Sequence, residues 1–117
     1  MPDRDLGAAL SRPLSEIKAE LFKALAHPAR IRVLELLSDG EATVSEMQPL
    51  VGLESSHLSQ QLAVLRRARL VITRKVGVNV FYAIKDPELV ELLAVAKQLL
   101  INALAETQDL LADLRAK

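Results

Sequence analysis

The chain contains no cysteine, and its only aromatic residues are Phe22, Phe81 and Tyr82. Without thiols it can form no disulfide, thiolate metal site, iron-sulfur cluster or thiol redox switch, which fits a reducing cytoplasm as the expected location. With so few aromatics, a chain that is 50% hydrophobic must build its core from Leu, Val, Ile and Ala, a composition that favours helices packed on helices. Four glycines leave little material for phosphate-cradling loops, and neither a nucleophile elbow nor a paired-histidine helix is present, so an enzyme is not expected. Asp3, Arg4 and Asp5 stand where a secretory signal would need an apolar stretch, and charges such as Lys97 interrupt the longest apolar runs. Neither secretion nor membrane spanning is expected.

A surplus of one charge sign is also missing: the formal net charge is zero, which at first argues against a nucleic-acid partner. The distribution argues the other way. From Ser55 to Lys85 every charged residue is basic, namely Arg66, Arg67, Arg69, Arg74, Lys75 and Lys85. The segment that follows carries Asp86, Glu88, Glu91, Glu106, Asp109 and Asp113 against Lys97, Arg115 and Lys117. A basic stretch therefore adjoins an acidic one.

At 117 residues the chain suits one compact domain. Residues 1–14 show no sustained period and read as a flexible arm, leaving 15–117 as the domain. Ile17, Leu21 and Leu25 repeat at helical spacing, giving a first helix from about Ser15 to Ala26. His27-Pro28 ends it and starts a second, with Ile31, Leu34 and Leu37 inward until Gly40. Thr43 and Glu46 have the spacing of a capping box for a short third helix that stops by Gly52. Ser55 and Ser56 offer caps for a fourth through about Ala68. Two helices across a short glycine-containing turn make a helix-turn-helix.

On the fourth helix Leu58, Leu62 and Leu65 share one side, and Ser56, Gln60, Ala63 and Arg67 the other. Val71 to Lys75 and Val80 to Ile84 then read as a β-hairpin joined by Val76-Gly77-Val78-Asn79, a wing. Asp86-Pro87 opens a long last helix in which Leu89, Leu93, Ala96, Leu100, Ala103, Leu110 and Leu114 alternate steps of four and three, with Thr107 as the polar interruption. So long an apolar stripe calls for a partner helix. The expected fold is mainly α with a small β-hairpin: a winged helix-turn-helix of five or so helices.

Two segments carry a family resemblance: Leu25-Ala-His-Pro-Ala-Arg-Ile-Arg-Val-Leu34 and Ser55-Ser-His-Leu-Ser-Gln-Gln-Leu-Ala-Val-Leu-Arg-Arg-Ala-Arg-Leu-Val71. With the hairpin ending Val80-Phe-Tyr-Ala-Ile84 they resemble the ArsR-SmtB family of winged-helix repressors, over roughly residues 15 to 100. The resemblance implies a homodimer that binds double-stranded operator DNA, with the fourth helix in the major groove. It also implies that the first and last helices dimerise, here through Leu21, Leu25, Leu89, Leu93, Leu100, Ala103 and Leu110. The chain departs from the pattern at Gln61, where members often have His, and at Arg69, where many have Gly. The family's thiolate site would fall around Thr43 to Met47, which lacks cysteine, and its last-helix site would need histidines near Leu99 and Asn102. Neither familiar metal site is expected.

The candidate DNA contacts are Ser55, Ser56, His57, Ser59, Gln60 and Gln61, whose hydroxyls, amides and imidazole can donate and accept in the major groove. Arg66 and Arg67 would brace the backbone, and Arg74, Lys75 and Asn79 would reach phosphate or minor groove from the wing. His27 before Pro28 reads as a helix cap and His57 lacks a neighbouring ligand, so no cofactor is implied; a weak nickel or zinc site using them or carboxylates stays open. Asp86, Glu88 and Glu91 are accounted for by the macrodipole of the last helix. The competing reading is a winged-helix module that holds a protein instead of DNA; an enzyme accessory or storage role has no positive feature behind it.

Overall fold

A computed structural model describes residues 12–116. In chain order the elements are α1 (Leu14–Leu25), α2 (Pro28–Leu37), α3 (Val44–Val51), α4 (Ser55–Arg67), β1 (Val71–Val76), β2 (Asn79–Ile84) and α5 (Pro87–Ala116). This is a winged helix-turn-helix: five helices with a two-stranded antiparallel hairpin among the described residues. The chain divides into two compact units, Met1–Lys85 and Asp86–Lys117. Of the expected arm, residues 1–11 lie outside the described residues, and Leu14 already belongs to α1.

Short polar signals set the helix boundaries. His27 is extended and its Nδ1 accepts the Ala29 N–H at 3.0 Å, so it satisfies a donor that the first turn of α2 leaves free, while Pro28 has no N–H to satisfy. Thr43 and Glu46 form the reciprocal capping box that starts α3, and Gly52, left-handed at φ 76°, ends it. The start of α4 differs from expectation. Its N-cap is Glu54, whose side chain makes no capping bond, and Ser55 and Ser56 already lie in the first turn. The Ser55 hydroxyl instead donates to the Gln48 side-chain oxygen at 3.3 Å, across the helix-turn-helix.

The core of the first unit takes Leu25 from α1, Val33, Leu34 and Leu37 from α2, Met47 and Val51 from α3, Leu58, Leu62 and Leu65 from α4, and Val71 from β1. Three leucines on one side of α4, each contributing roughly 1.5–3 kcal/mol on full burial, fix its rotation and turn Ser56, Gln60 and Arg67 to solvent. Two arginines of α2 bind the ends of its neighbours. Arg30 Nη1 donates to the Ala24 carbonyl at 2.9 Å and Arg32 Nη1 to the Val51 carbonyl at 2.9 Å, satisfying C-terminal carbonyls of α1 and α3.

The hairpin is one residue longer on each side than the sequence suggests. Val76 pairs with Asn79, so the turn is only Gly77-Val78, with positive φ at Gly77 alone, the pattern of a type II′ turn that matches strand twist. Ala42 bridges the outer edge of β2: its N–H donates to the Tyr82 carbonyl at 3.0 Å and Tyr82 returns the bond at 2.8 Å. The wing is thereby tied to the segment that enters α3.

In the second unit α5 has 30 residues, about 45 Å at the helical rise. Leu99, Leu100, Leu104, Leu110, Leu111 and Leu114 are exposed along it. Thr107 donates its hydroxyl to the Ala103 carbonyl at 3.0 Å, so the polar interruption is satisfied within its own helix and the stripe is apolar in effect.

Candidate nucleic-acid interface

Helical spacing places Ser56, Gln60, Ala63 and Arg67 on one face of α4, and Ser56, Gln60 and Arg67 are exposed. Ser55, His57, Ser59 and Arg66 are exposed beside them. Because Glu54 supplies no side-chain cap, the first-turn N–H groups of α4 have no side-chain acceptor, and a helix N-terminus in that state favours an anionic group. The face can therefore offer hydroxyl, amide and guanidinium groups to base edges and backbone N–H groups to a phosphate.

Gln61 does not share this face. It is half-buried, and its side-chain oxygen accepts from Arg30 Nε at 2.8 Å. Its carboxamide is committed to holding α4 against α2, a role that spacing within one helix does not reveal.

The hairpin presents Lys75 and Asn79 to solvent near its turn, and Val78 at the tip is 93% exposed. Arg74 is also exposed, but its Nε donates to Glu41 Oε2 at 2.8 Å, its Nη2 pairs with Glu41 Oε1, and its guanidinium lies 4.8 Å from the centre of the Phe81 ring. The hydrogen bond from Arg74 holds the Glu41 carboxyl below its ordinary range, and Glu41 in turn raises the pKa of Arg74. Glu41 lies outside the stretch from Ser55 to Lys85, so the fold brings a carboxylate to a segment that has none of its own. Among the described residues Lys75, Arg66 and Arg67 have no acidic partner within salt-bridge distance.

Sequence reasoning overlooked Arg30, Arg32 and Glu41. A local signal existed only for the arginines, which interrupt the apolar period of α2 at positions that a solvated face would equally explain. Of the residues assigned to dimerisation, Leu25 and Leu89 are buried within the single chain, Leu21 and Leu93 are half-buried, and Leu100, Ala103 and Leu110 are exposed. Among the described residues no three His, Asp or Glu side chains converge as metal ligands would, and no helix is long and apolar enough to cross a membrane.

Residues 27–73 match the family model for bacterial regulatory proteins of the arsR family. The chain is 53% identical over 107 residues, 91% of this chain and 94% of the relative, to an uncharacterized HTH-type transcriptional regulator of Mycobacterium tuberculosis, Rv0081. This chain belongs to the arsR family. It is thus an HTH-type transcriptional regulator and not an enzyme. The regulator matches the crystal structure of Rv0081 at a TM-score of 0.76 and 53% identity, over 81% of this chain and 96% of that one. It also matches the solution structure of a homodimeric winged helix-turn-helix DNA-binding domain, Mb0332 of Mycobacterium bovis, at a TM-score of 0.72 and 28% identity, over 80% of this chain and 86% of that one. A biofilm growth-associated repressor of Agrobacterium fabrum is 36% identical over 85 residues, 73% of this chain and 72% of that protein. A transcriptional activator of Vibrio cholerae, HlyU, is 39% identical over 83 residues, 71% of this chain and 77% of that protein.

Proposed function

We propose that the regulator acts in the cytoplasm as a homodimeric repressor of a pseudo-palindromic operator. The observation that carries this reading is the exposed face of α4, Ser56, Gln60 and Arg67, flanked by Arg66, which has no acidic partner among the described residues, and by a hairpin bearing Lys75 and Asn79. Hydroxyl and amide groups at helical spacing read base edges, and the surrounding cations neutralise phosphates. Gln60 is the principal base reader on this reading, and Arg66, Arg67, Lys75 and Asn79 are backbone or minor-groove contacts. Ser55, Ser56, His57 and Ser59 are arranged around the N-terminus of α4, where a groove-inserted helix meets DNA.

The apolar stripe of α5 supplies the association. A dimer places two copies of α4 roughly 34 to 36 Å apart on successive major grooves. Repression follows when such a dimer occupies a promoter; the homodimeric domain of Mb0332 and the Agrobacterium repressor support these assignments by similarity, while HlyU makes the direction of regulation something to measure.

The deciding experiment is a gel shift on fragments upstream of the regulator's own and neighbouring genes at several salt concentrations, followed by a promoter-reporter assay. Tight, salt-dependent binding of one fragment over scrambled duplex, with reporter activity rising on deletion of the gene, is the expected result. Absence of DNA binding at low salt overturns the reading and leaves a protein-interaction module. Falling reporter activity on deletion overturns repression alone.

A further inference from the structure

A second basic feature lies at the root of the hairpin, where Val71 and Thr73 stand seven and five residues before the exposed tip at Val78. A cavity of about 320 Å³ is lined by Arg66, Arg69, Val71, Ile72, Thr73 and Lys85. Three cationic residues and a threonine thus border one open groove, and among the described residues none of the three cations has a carboxylate within salt-bridge distance. Like charges gathered without a counter-charge repel each other, and an anion among them removes that repulsion.

The positions of the cations are set by backbone structure. Leu70 N–H donates to the Leu65 carbonyl at 3.0 Å and Arg69 N–H to the Arg66 carbonyl at 3.0 Å, the paired bonds of a Schellman turn closing α4. Arg69 stands at the left-handed position of that turn with φ 62°, where glycine would be free of strain. Lys85 follows β2 and is joined to the same turn, its N–H donating to the Leu70 carbonyl at 3.1 Å. The helix macrodipole favours Arg66 in the last turn, but it does not account for Arg69 beyond the helix or for Lys85 at the end of β2.

We infer that this cavity is an oxyanion site that takes a phosphate group, held by Arg66, Arg69 and Lys85 with the Thr73 hydroxyl as a further donor. Guanidinium and ammonium donors with a hydroxyl suit a tetrahedral oxyanion, and Val71 and Ile72 give an apolar wall for a small organic group esterified to it. The phosphate can come from a small molecule or from the DNA backbone. Because the site joins the end of α4 to the root of the wing, its occupancy would couple the orientations of the two elements proposed to meet DNA.

The test has two arms, and the first uses DNA-free protein, so its result is independent of the operator reading. Inorganic phosphate is titrated into the full chain at constant ionic strength, with chloride as the control, and backbone amide signals are followed. Saturable shifts at Arg69 to Thr73 and at Lys85 in the millimolar range are expected, with affinity weakened about tenfold or more in Arg69→Gly and in Lys85→Gln. Arg69→Gly removes the guanidinium while relieving the backbone, and Lys85→Gln keeps the main-chain bond, so neither loss can be put down to unfolding. The second arm measures the salt dependence of DNA affinity for the same variants. A slope smaller by about one, with no response to free phosphate, assigns the site to a DNA backbone phosphate. No phosphate response in the wild-type chain together with an unchanged salt slope in both variants overturns the inference.

Discussion

Arg30 of α2 donates its Nε–H to the side-chain oxygen of Gln61 on α4 at 2.8 Å, while its Nη1 donates to the Ala24 carbonyl at 2.9 Å. One guanidinium therefore links the end of α1, the first turn of α2 and the helix proposed to read DNA. A charge-assisted bond at a half-buried site contributes ~1.5 kcal/mol. Gln61→Ala is expected to lower stability by about that amount and to weaken binding to all DNA sequences in the same proportion. Gln60→Ala should leave stability unchanged and alter which base pairs are preferred. Denaturant titration and binding selection on randomised half-sites separate the two, and a changed base preference in Gln61→Ala would show that the side chain leaves Arg30 to reach the groove.

The pairing of Arg74 with Glu41 ranks the two cations of the wing. Among the described residues Lys75 has no acidic partner, whereas Arg74 is paired with Glu41. Lys75→Ala should reduce the slope of log affinity against log salt by about one, and Arg74→Ala by clearly less. Equal losses in the two variants would mean that DNA displaces Glu41 from Arg74.

The same pair fixes a pH dependence. Arg74 depresses the Glu41 carboxyl below its ordinary value of 4.5, so its stabilising contribution is fully present above that value and is lost as pH falls through the lower folded-state pKa. No effect of this pair is expected near neutrality. Carboxyl NMR should show Glu41 titrating below its ordinary value in the wild-type chain and returning to it in Arg74→Gln; an unchanged midpoint would contradict the pairing.

Arg69 occupies a left-handed position that is about 1–2 kcal/mol unfavourable for a residue with a Cβ. Glycine removes that strain but adds conformational entropy to the unfolded chain, which offsets part of the gain. Arg69→Gly should therefore stabilise the protein by ~0.5–1 kcal/mol, read as a higher midpoint in thermal or urea unfolding. A lower midpoint would show that the guanidinium contributes more to folding than its backbone strain removes.

Leu100 is 66% exposed in the middle of the α5 stripe. Burying such a leucine against a partner contributes roughly 1.5–3 kcal/mol, so Leu100→Glu should shift a dimer towards monomer in sedimentation analysis and sharply weaken binding to a two-half-site operator. A wild-type chain that sediments as a folded monomer at micromolar concentration would remove the basis for paired recognition helices.

The amino-acid order alone determined the elements. The His27 cap before Pro28, the capping box of Thr43 and Glu46, the stop at Gly52 and the face of Leu58, Leu62 and Leu65 all lie within one or two turns of chain. Local hydrogen bonding and side-chain periodicity act over that range, so they are readable without a fold. Even there Glu54 displaced the expected serine caps, because the Ser55 hydroxyl finds Gln48 on the neighbouring helix.

Tertiary structure alone decided which candidate side chains are free. Gln61 and Gln60 are adjacent and chemically identical, yet only Gln61 meets Arg30, 31 residues away. Arg74 and Lys75 are adjacent cations, yet only Arg74 meets Glu41, 33 residues away. The cavity among Arg66, Arg69 and Lys85 likewise needs the end of α4 and the end of β2 to be drawn to the same turn through the bond from Lys85 to Leu70. Composition identifies groups able to hydrogen-bond or carry charge, but a group's partner is set by which backbone segments pack together. That depends on burying one shared core and cannot be read from any stretch of the chain taken by itself.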